Sequence, residues 1–234
     1  WALSPCVQTS TFLDGRLHVN KGWVKTVLAL LVRPDLVTAP YRLLAKQANV
    51  ALGTVAGCMN DLIARRLLRE GNGEQRVLDH QQLQALWVQA YVDVLRPTLE
   101  ERRFQVRARA KPELWDRLLD VLGTHNVRWA LTGADAAERR THFFRAEETE
   151  IYATVRAFED RSLQKALIAQ PAARMGNLLI IEPPGPLALP LGATPGPPIA
   201  PDLLVYGELR YRGTGQVLEA AEIMLPDVLG EDPR

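Results

Sequence analysis

Three stretches of helical apolar spacing, in close succession and followed at once by a glycine-rich turn, constrain this chain more than any other feature. After Asn20, the residues Val24, Val27, Leu28, Leu31 and Val32 fall on one helical face. Arg33-Pro34 ends that helix, because proline disfavours helical geometry in the residue before it. A second helix opens near Pro40, a good first-turn residue whose missing N–H needs no partner there. It carries Leu43, Leu44 and Gln47 to a turn at Ala48-Asn49-Val50. The third is predicted from about Ala51 to Arg66, with Val55, Cys58, Met59, Leu62 and Ile63 at the i, i+3, i+4, i+7, i+8 spacing of a packed helix. Leu67 to Glu70 and Arg76 to Leu78 then flank Gly71-Asn72-Gly73, which reads as a β-hairpin.

Three helices and a hairpin are the order of a winged helix-turn-helix. In that arrangement one helix lies in the major groove of DNA, so its outward side must be short or polar and its inward side apolar. The side opposite Val55, Met59 and Leu62 offers Ala51, Gly53, Thr54, Gly57, Asn60 and Asp61. Thr54 and Asn60 are candidate base contacts, and Gly53 and Gly57 let the backbone approach. Arg42, Lys46, Arg65, Arg69 and Arg76, with Asn72 in the wing turn, are candidates for the phosphates. Winged helices also serve as protein-interaction modules, and the third helix has no Arg or Lys before its C-terminal end. A protein-interaction adaptor is therefore the alternative reading. So few cations imply modest affinity per copy, which would favour a homodimer on repeated half-sites.

The remaining chain fits this division. Net charge is only +1, but its distribution is uneven. Basic residues recur from Lys21 to Lys111, whereas the tail after Glu182 is mostly acidic, with Asp202, Glu208, Glu219, Glu222, Asp227, Glu231 and Asp232. Only the front half is thus expected to meet phosphates. No run approaches the roughly 18 apolar residues of a membrane span, so no membrane partner and a cytoplasmic location are expected. The sequence divides into an unassigned arm over 1–19, a winged helix-turn-helix over 20–80, a linking helix over 81–101 and an α/β domain over 102–234. The linking helix runs from Gln81 to about Arg96 and stops at Pro97, with Leu83, Leu86, Trp87, Ala90, Tyr91 and Val94 inward.

Beyond it, strands are predicted at Phe104–Ala108, Val127–Leu131, Thr149–Val155 and Asn177–Ile181, alternating with helices at Pro112–Leu122, after Gly133 and at Arg161–Ala169. The Pro- and Gly-dense segment 183–201 is expected to be a long exposed loop or an extended crossing. Two short helices, Asp202–Tyr211 and about Gln216–Leu225, close the chain. The overall class is α+β.

Nothing here assembles a convincing catalytic site. A nucleotidyltransferase needs a Gly-Ser or Gly-Gly turn for the triphosphate and alternating carboxylates for Mg²⁺. Gly133 could supply part of the turn, and Glu148 and Glu150 alternate on a predicted strand. Ala134 follows the glycine, however, and no third carboxylate is evident, so residual nucleotidyltransferase activity ranks last. His18, His80, His125 and His142 stand singly, and Cys6 and Cys58 have no clustered partners, which excludes a metal or cofactor expectation. Cys58 on its apolar stripe reads as a buried free thiol. Trp23, Trp87, Trp115 and Trp129 read as core rather than as base-stacking platforms. The expectation is a protein that is not an enzyme.

Several segments in order resemble the AbiEi-type antitoxins of type IV toxin–antitoxin systems. These are Tyr41-Arg42-Leu43-Leu44-Ala45 with Val50-Ala51-Leu52-Gly53-Thr54-Val55, and Trp87-Val88-Gln89-Ala90-Tyr91 with Leu95-Arg96-Pro97. Leu131-Thr132-Gly133-Ala134-Asp135, Asp202-Leu203-Leu204-Val205-Tyr206-Gly207-Glu208-Leu209 and Leu218-Glu219-Ala220-Ala221 complete the set. The resemblance implies a plasmid or other mobile element, a winged helix that represses its own operon on double-stranded DNA, and a C-terminal domain resembling a degenerate nucleotidyltransferase fold. It also implies a cognate toxin acting in the same operon. Thr214 and Gln216 stand where the family's Gly-Asp-x-Arg turn has Asp and Arg, and Thr132-Gly133-Ala134 where it often has Gly-Gly-Glu.

Overall fold

The computed structural model describes residues 19–71, 74–77, 80–143, 145–192 and 196–229. The arm with Cys6 and His18, the turn positions Asn72 and Gly73, and Leu78 lie outside them, as do the side chains of 69–77.

Helix α1 (Lys21–Val32) begins at Asn20, whose side chain accepts from the Trp23 N–H at 2.9 Å, a capping bond that satisfies one orphan donor of the first turn. The expected apolar face is buried, but so are Trp23, Thr26, Ala29 and Leu30. The helix is enclosed because α2 (Tyr41–Ala48) and α3 (Leu52–Ala64) pack on it together with α4 (His80–Ala90). The one buried hydroxyl of α1, on Thr26, donates to the Gly22 carbonyl at 2.8 Å, so no polar group is stranded. Asn49 ends α2 in the left-handed region, at φ 52°, a conformation asparagine tolerates better than most residues. Along α3 the buried residues are Val55, Cys58, Met59 and Leu62, with Ile63 at the margin. Strands β1 (Leu68–Gly71) and β2 (Glu74–Val77) follow as an antiparallel ribbon in which Gly71 faces Glu74.

The segment after α4 is not a simple continuation. Tyr91–Leu95 forms a wide π-type turn, and Arg96–Thr98 a 3-10 turn that contains Pro97. The i to i+5 spacing brings Tyr91 and Arg96 to the same side. Trp87 donates to the Val24 carbonyl of α1 at 2.8 Å and stacks on Tyr91 with centroids 4.9 Å apart. One side of α4, with Leu83, Trp87 and Ala90, is therefore part of the core.

Beyond it lies a five-stranded sheet in the order β4-β5-β7-β3-β6. Its strands are β3 (Glu101–Val106), β4 (Trp129–Leu131), β5 (Thr149–Ala153), β6 (Ala169–Ala172) and β7 (Leu178–Ile181). β5 and β7 pair in parallel and every other pairing is antiparallel. Every residue of β5 and β7 is buried, as expected for the covered centre of a sheet. Helices α6 (Gly133–Thr141), α8 (Asp202–Arg212) and α9 (Gly215–Leu229) pack together, and α5 (Lys111–Thr124) packs with α7 (Arg161–Leu167). The chain is a mixed α+β structure, and its described hydrophobic residues form one contiguous core.

Two expectations need revision and one open alternative is decided. Strand β6, unforeseen, contains Gln170-Pro171; it lies at the sheet edge, where the missing proline N–H breaks no internal ladder. Of the two alternatives for the segment 183–201, its described residues, 183–192 and 196–201, follow the extended crossing. Its turn at Pro186–Ala188 packs near α2, Ala188 is sealed, and Ile199 bridges to Leu131, flanked by Leu131 N–H donating to Pro198 O at 2.7 Å. Glu208, counted as part of an acidic tail, is wholly buried. Both its oxygens accept from Arg96 Nε, at 2.9 and 2.8 Å, and Tyr91 and Tyr152 also donate to it.

Arg96 is itself only 2% exposed. Removing Glu208 leaves the buried guanidinium with Glu101 alone, 2.8 Å away, and deprives the two tyrosine hydroxyls of their shared acceptor. Glu208→Ala is expected to lower stability by about 3–5 kcal/mol, read as a leftward shift of the urea unfolding midpoint without loss of helical signal in the folded baseline.

Candidate nucleic-acid interface

With its apolar residues turned into the body, α3 leaves Leu52, Gly53, Gly57, Asn60 and Ala64 exposed. A Cβ placed on Gly53 or on Gly57 would meet nothing within 4 Å. That side of the helix is open, and its two glycines keep it free of bulk. Gly53, Gly57 and Asn60 thus share one exposed side. Thr54 is half-buried and faces α1 instead: a Cβ on Gly22 would come within 2.4 Å of the Thr54 methyl carbon. Arg42 and Lys46 are exposed one turn apart on α2. Arg69 and Arg76 are direct register partners across the ribbon, and Asn72 lies outside the described residues.

Asp61 departs from its place among the outward polar groups. Its carboxylate accepts from Trp23 Nε1 at 3.1 Å and from Arg65 Nε at 2.8 Å, so the only acid on α3 is neutralised and holds Arg65 at the helix end. Sequence spacing offered no signal for this, since Trp23 and Asp61 stand 38 residues apart. Asn20, Trp23, Gly53, Thr54, Gly57, Cys58 and Asp61 line a cleft of about 290 Å³ beside the exposed side. Cys58 is a buried free thiol. Burial first and the neighbouring Asp61 charge second push its pKa up, so it holds its proton and is a poor nucleophile. Leu52, which the sequence reading passed over, is 47% exposed at the first turn of α3.

The two carboxylates weighed for metal binding have other partners. Glu148 accepts from Arg103 Nε at 3.1 Å, and burial raises its pKa. Glu150 on β5 is sealed, with Oε1 at 3.0 Å from Arg212 Nε and Oε2 without a hydrogen-bond partner. Oε2 lies against Gly133, at φ +54°, where a Cβ would fall 1.7 Å away. The space over that glycine turn is filled by the protein's own carboxylate. Among the described residues no three His, Cys, Asp or Glu side chains group as a metal site, and no helix is long and apolar enough to cross a membrane.

Burial, with the nearby Glu208 and Glu148 charges, pushes Glu150 up to about 7 despite Arg212. The folded state then keeps a proton that the unfolded chain releases near its ordinary value of 4.5. Stability from this group is present below the ordinary value and is lost as pH rises through about 7, by roughly 3 kcal/mol in all. Denaturant titrations from about pH 5 to about pH 8 should show that decline in the native protein, and Glu150→Gln should flatten it. At the α1–α3 junction, Asp61→Ala strands the buried Trp23 donor and is expected to cost about 1–2 kcal/mol. Arg65→Ala, which removes only a half-exposed ion pair, should cost under about 1 kcal/mol in the same urea assay.

A family model described as transcriptional regulator, AbiEi antitoxin, type IV toxin–antitoxin system matches residues 76–229. The match begins within β2, takes in α4 and the whole five-stranded sheet, and leaves α1, α2 and α3 outside it. Neither the curated proteins nor the solved structures compared with the chain include a match. The matched region spans well over half of the sequence, and the chain belongs to the AbiEi antitoxin family of transcriptional regulators.

Proposed function

We propose that this family member is a sequence-specific DNA-binding repressor whose residues 20–80 form a winged helix-turn-helix, with α2 as the bracing helix, α3 in the major groove and the β1–β2 ribbon as the wing. The observation that carries the reading is the bare outward side of α3, where Gly53, Gly57 and Asn60 are exposed while Val55, Cys58, Met59 and Leu62 are buried. A duplex can reach such a helix along its length. The register that sets Arg69 opposite Arg76 also supports it, since it puts two cationic residues on the ribbon that would serve as the wing.

The sheet domain, on this reading, is a degenerate nucleotidyltransferase-like unit that carries no catalysis. Support comes from the Gly133 turn, whose space Glu150 occupies. Its family description names a toxin–antitoxin system, and we extend that to a cognate toxin acting in the same operon, carried on a plasmid or other mobile element. Repression would place the protein in the cytoplasm, as a homodimer on repeated half-sites.

Gel shifts of the full chain on a duplex from its own upstream region, over a range of salt, test the reading. Specific retention should fall steeply with salt. Asn60→Ala should weaken it roughly 5- to 150-fold and relax sequence preference, while Arg76→Ala should weaken all sequences alike and reduce the salt slope by about 1. No retention at low salt would leave the adaptor reading in its place.

A further inference from the structure

We infer that α3 reads adenine and thymine rather than guanine and cytosine, with Leu52 contacting a thymine 5-methyl group and Asn60 an adenine edge. This rests on the DNA-binding reading above and deepens it to a base preference. Each base pair presents a distinct pattern in the major groove, and each pattern calls for its own side chain. Guanine is read by Arg or Lys, cytosine by a free carboxylate, adenine by Asn or Gln, and thymine by apolar contact with its methyl group.

The helix Leu52–Ala64 contains no Arg, Lys, Glu or Gln. Its single carboxylate, Asp61, is bound to Trp23 Nε1 and Arg65 Nε. The nearest cation, Arg65, follows the last helical residue and is held there through Nε. The chemistry for guanine and for cytosine is therefore missing from the groove-facing side. The exposed residues of the helix are Leu52, at its first turn, and Gly53, Gly57, Asn60 and Ala64 farther round, and only Leu52 and Asn60 extend far enough to touch a base edge.

Leu52 is the first residue of α3, and the N-terminal residues of such a helix are the ones that contact bases. Single exposed leucines are ordinary on a protein surface. This one stands beside Gly53, whose outward direction is open, so the backbone can come close enough for a branched apolar side chain to cover a methyl group. Asn60 follows roughly 12 Å along the helix axis, about three to four base-pair steps at roughly 3.4 Å each. The predicted half-site thus carries a thymine and an adenine contact a few base pairs apart, with no guanine anchor between them.

The full chain, mixed with a randomised duplex library at low salt, should recover sites with an A·T core. Those sites are then resynthesised with uracil replacing thymine at one position at a time, which removes only the methyl group. For the native protein, one or two positions should weaken binding roughly fivefold, the worth of one buried methyl group. Leu52→Ala, an exposed position with no core to disturb, should bind the thymine and uracil duplexes equally and retain its circular dichroism spectrum. Recovered cores built on G·C pairs, or native binding indifferent to uracil at every position, would overturn the base preference while leaving DNA binding intact. Failure to enrich any sequence would instead overturn the DNA-binding reading, and this inference with it.

Discussion

The carboxylate of Glu208 ties the helical run after the ribbon to the centre of the sheet, within the core that they share. Arg96 and Tyr91 reach it from the helical run that follows the ribbon, Tyr152 from the centre of the sheet, and α8 carries it. Three segments distant in sequence converge on two oxygen atoms. Taking a carboxylate and a guanidinium out of water costs several kcal/mol per ion before pairing, so the arrangement persists only because each lone pair finds a donor. Its stringency is geometric: a small displacement of any one element would leave a charge or hydroxyl without a partner, and the interior of the molecule tolerates few other positions of these parts.

The helix-facing half obeys a different constraint. There the interior is apolar, and the unusual feature is how little side chain α3 carries outward. Glycine in a helix costs about 0.5–1 kcal/mol relative to alanine, and α3 has two, at Gly53 and Gly57. The enclosure of α1 offsets this, since its buried Trp23, Val24, Val27, Leu28 and Leu30 give α3 a broad apolar bed. Asp61 then ties the two helices by a polar bond at the same edge. Stability is supplied from behind the helix so that its front can stay bare.

Local periodicity made much of this legible. The stripe of α3, the ends of α1 at Asn20 and Arg33, and the hairpin all depend on neighbours within a few residues, which a sequence displays directly. What depended on distant partners was not legible. Glu208 looked like surface charge because burial leaves no local mark, and its partners stand more than 50 residues away. Strand β6 left no signal because proline is rarely a strand residue, except at an edge that only the assembled sheet defines. For the crossing after β7, the prolines exclude regular structure but leave open whether the chain runs exposed or packed; proline in an extended chain packs well and its carbonyls still accept. Within the interface, Gly53, Gly57 and Asn60 could be picked from the helical wheel. Asp61 could not be separated from them, because its tether lies on another helix.

The wide turn at Tyr91–Leu95 carries one residue more than an α-helix would use. Each residue of an α-helix advances about 1.5 Å and rotates the chain by about 100°. Excising that surplus would turn His80–Ala90, and α1 packed on it, through about 100° relative to the sheet and would draw Tyr91 and Arg96 away from Glu208. The angular phase between the groove-facing surface and the sheet is thus encoded in helix length at one place. An insertion or deletion there would change that aim and, through Tyr91 and Arg96, the buried carboxylate's partners at the same time.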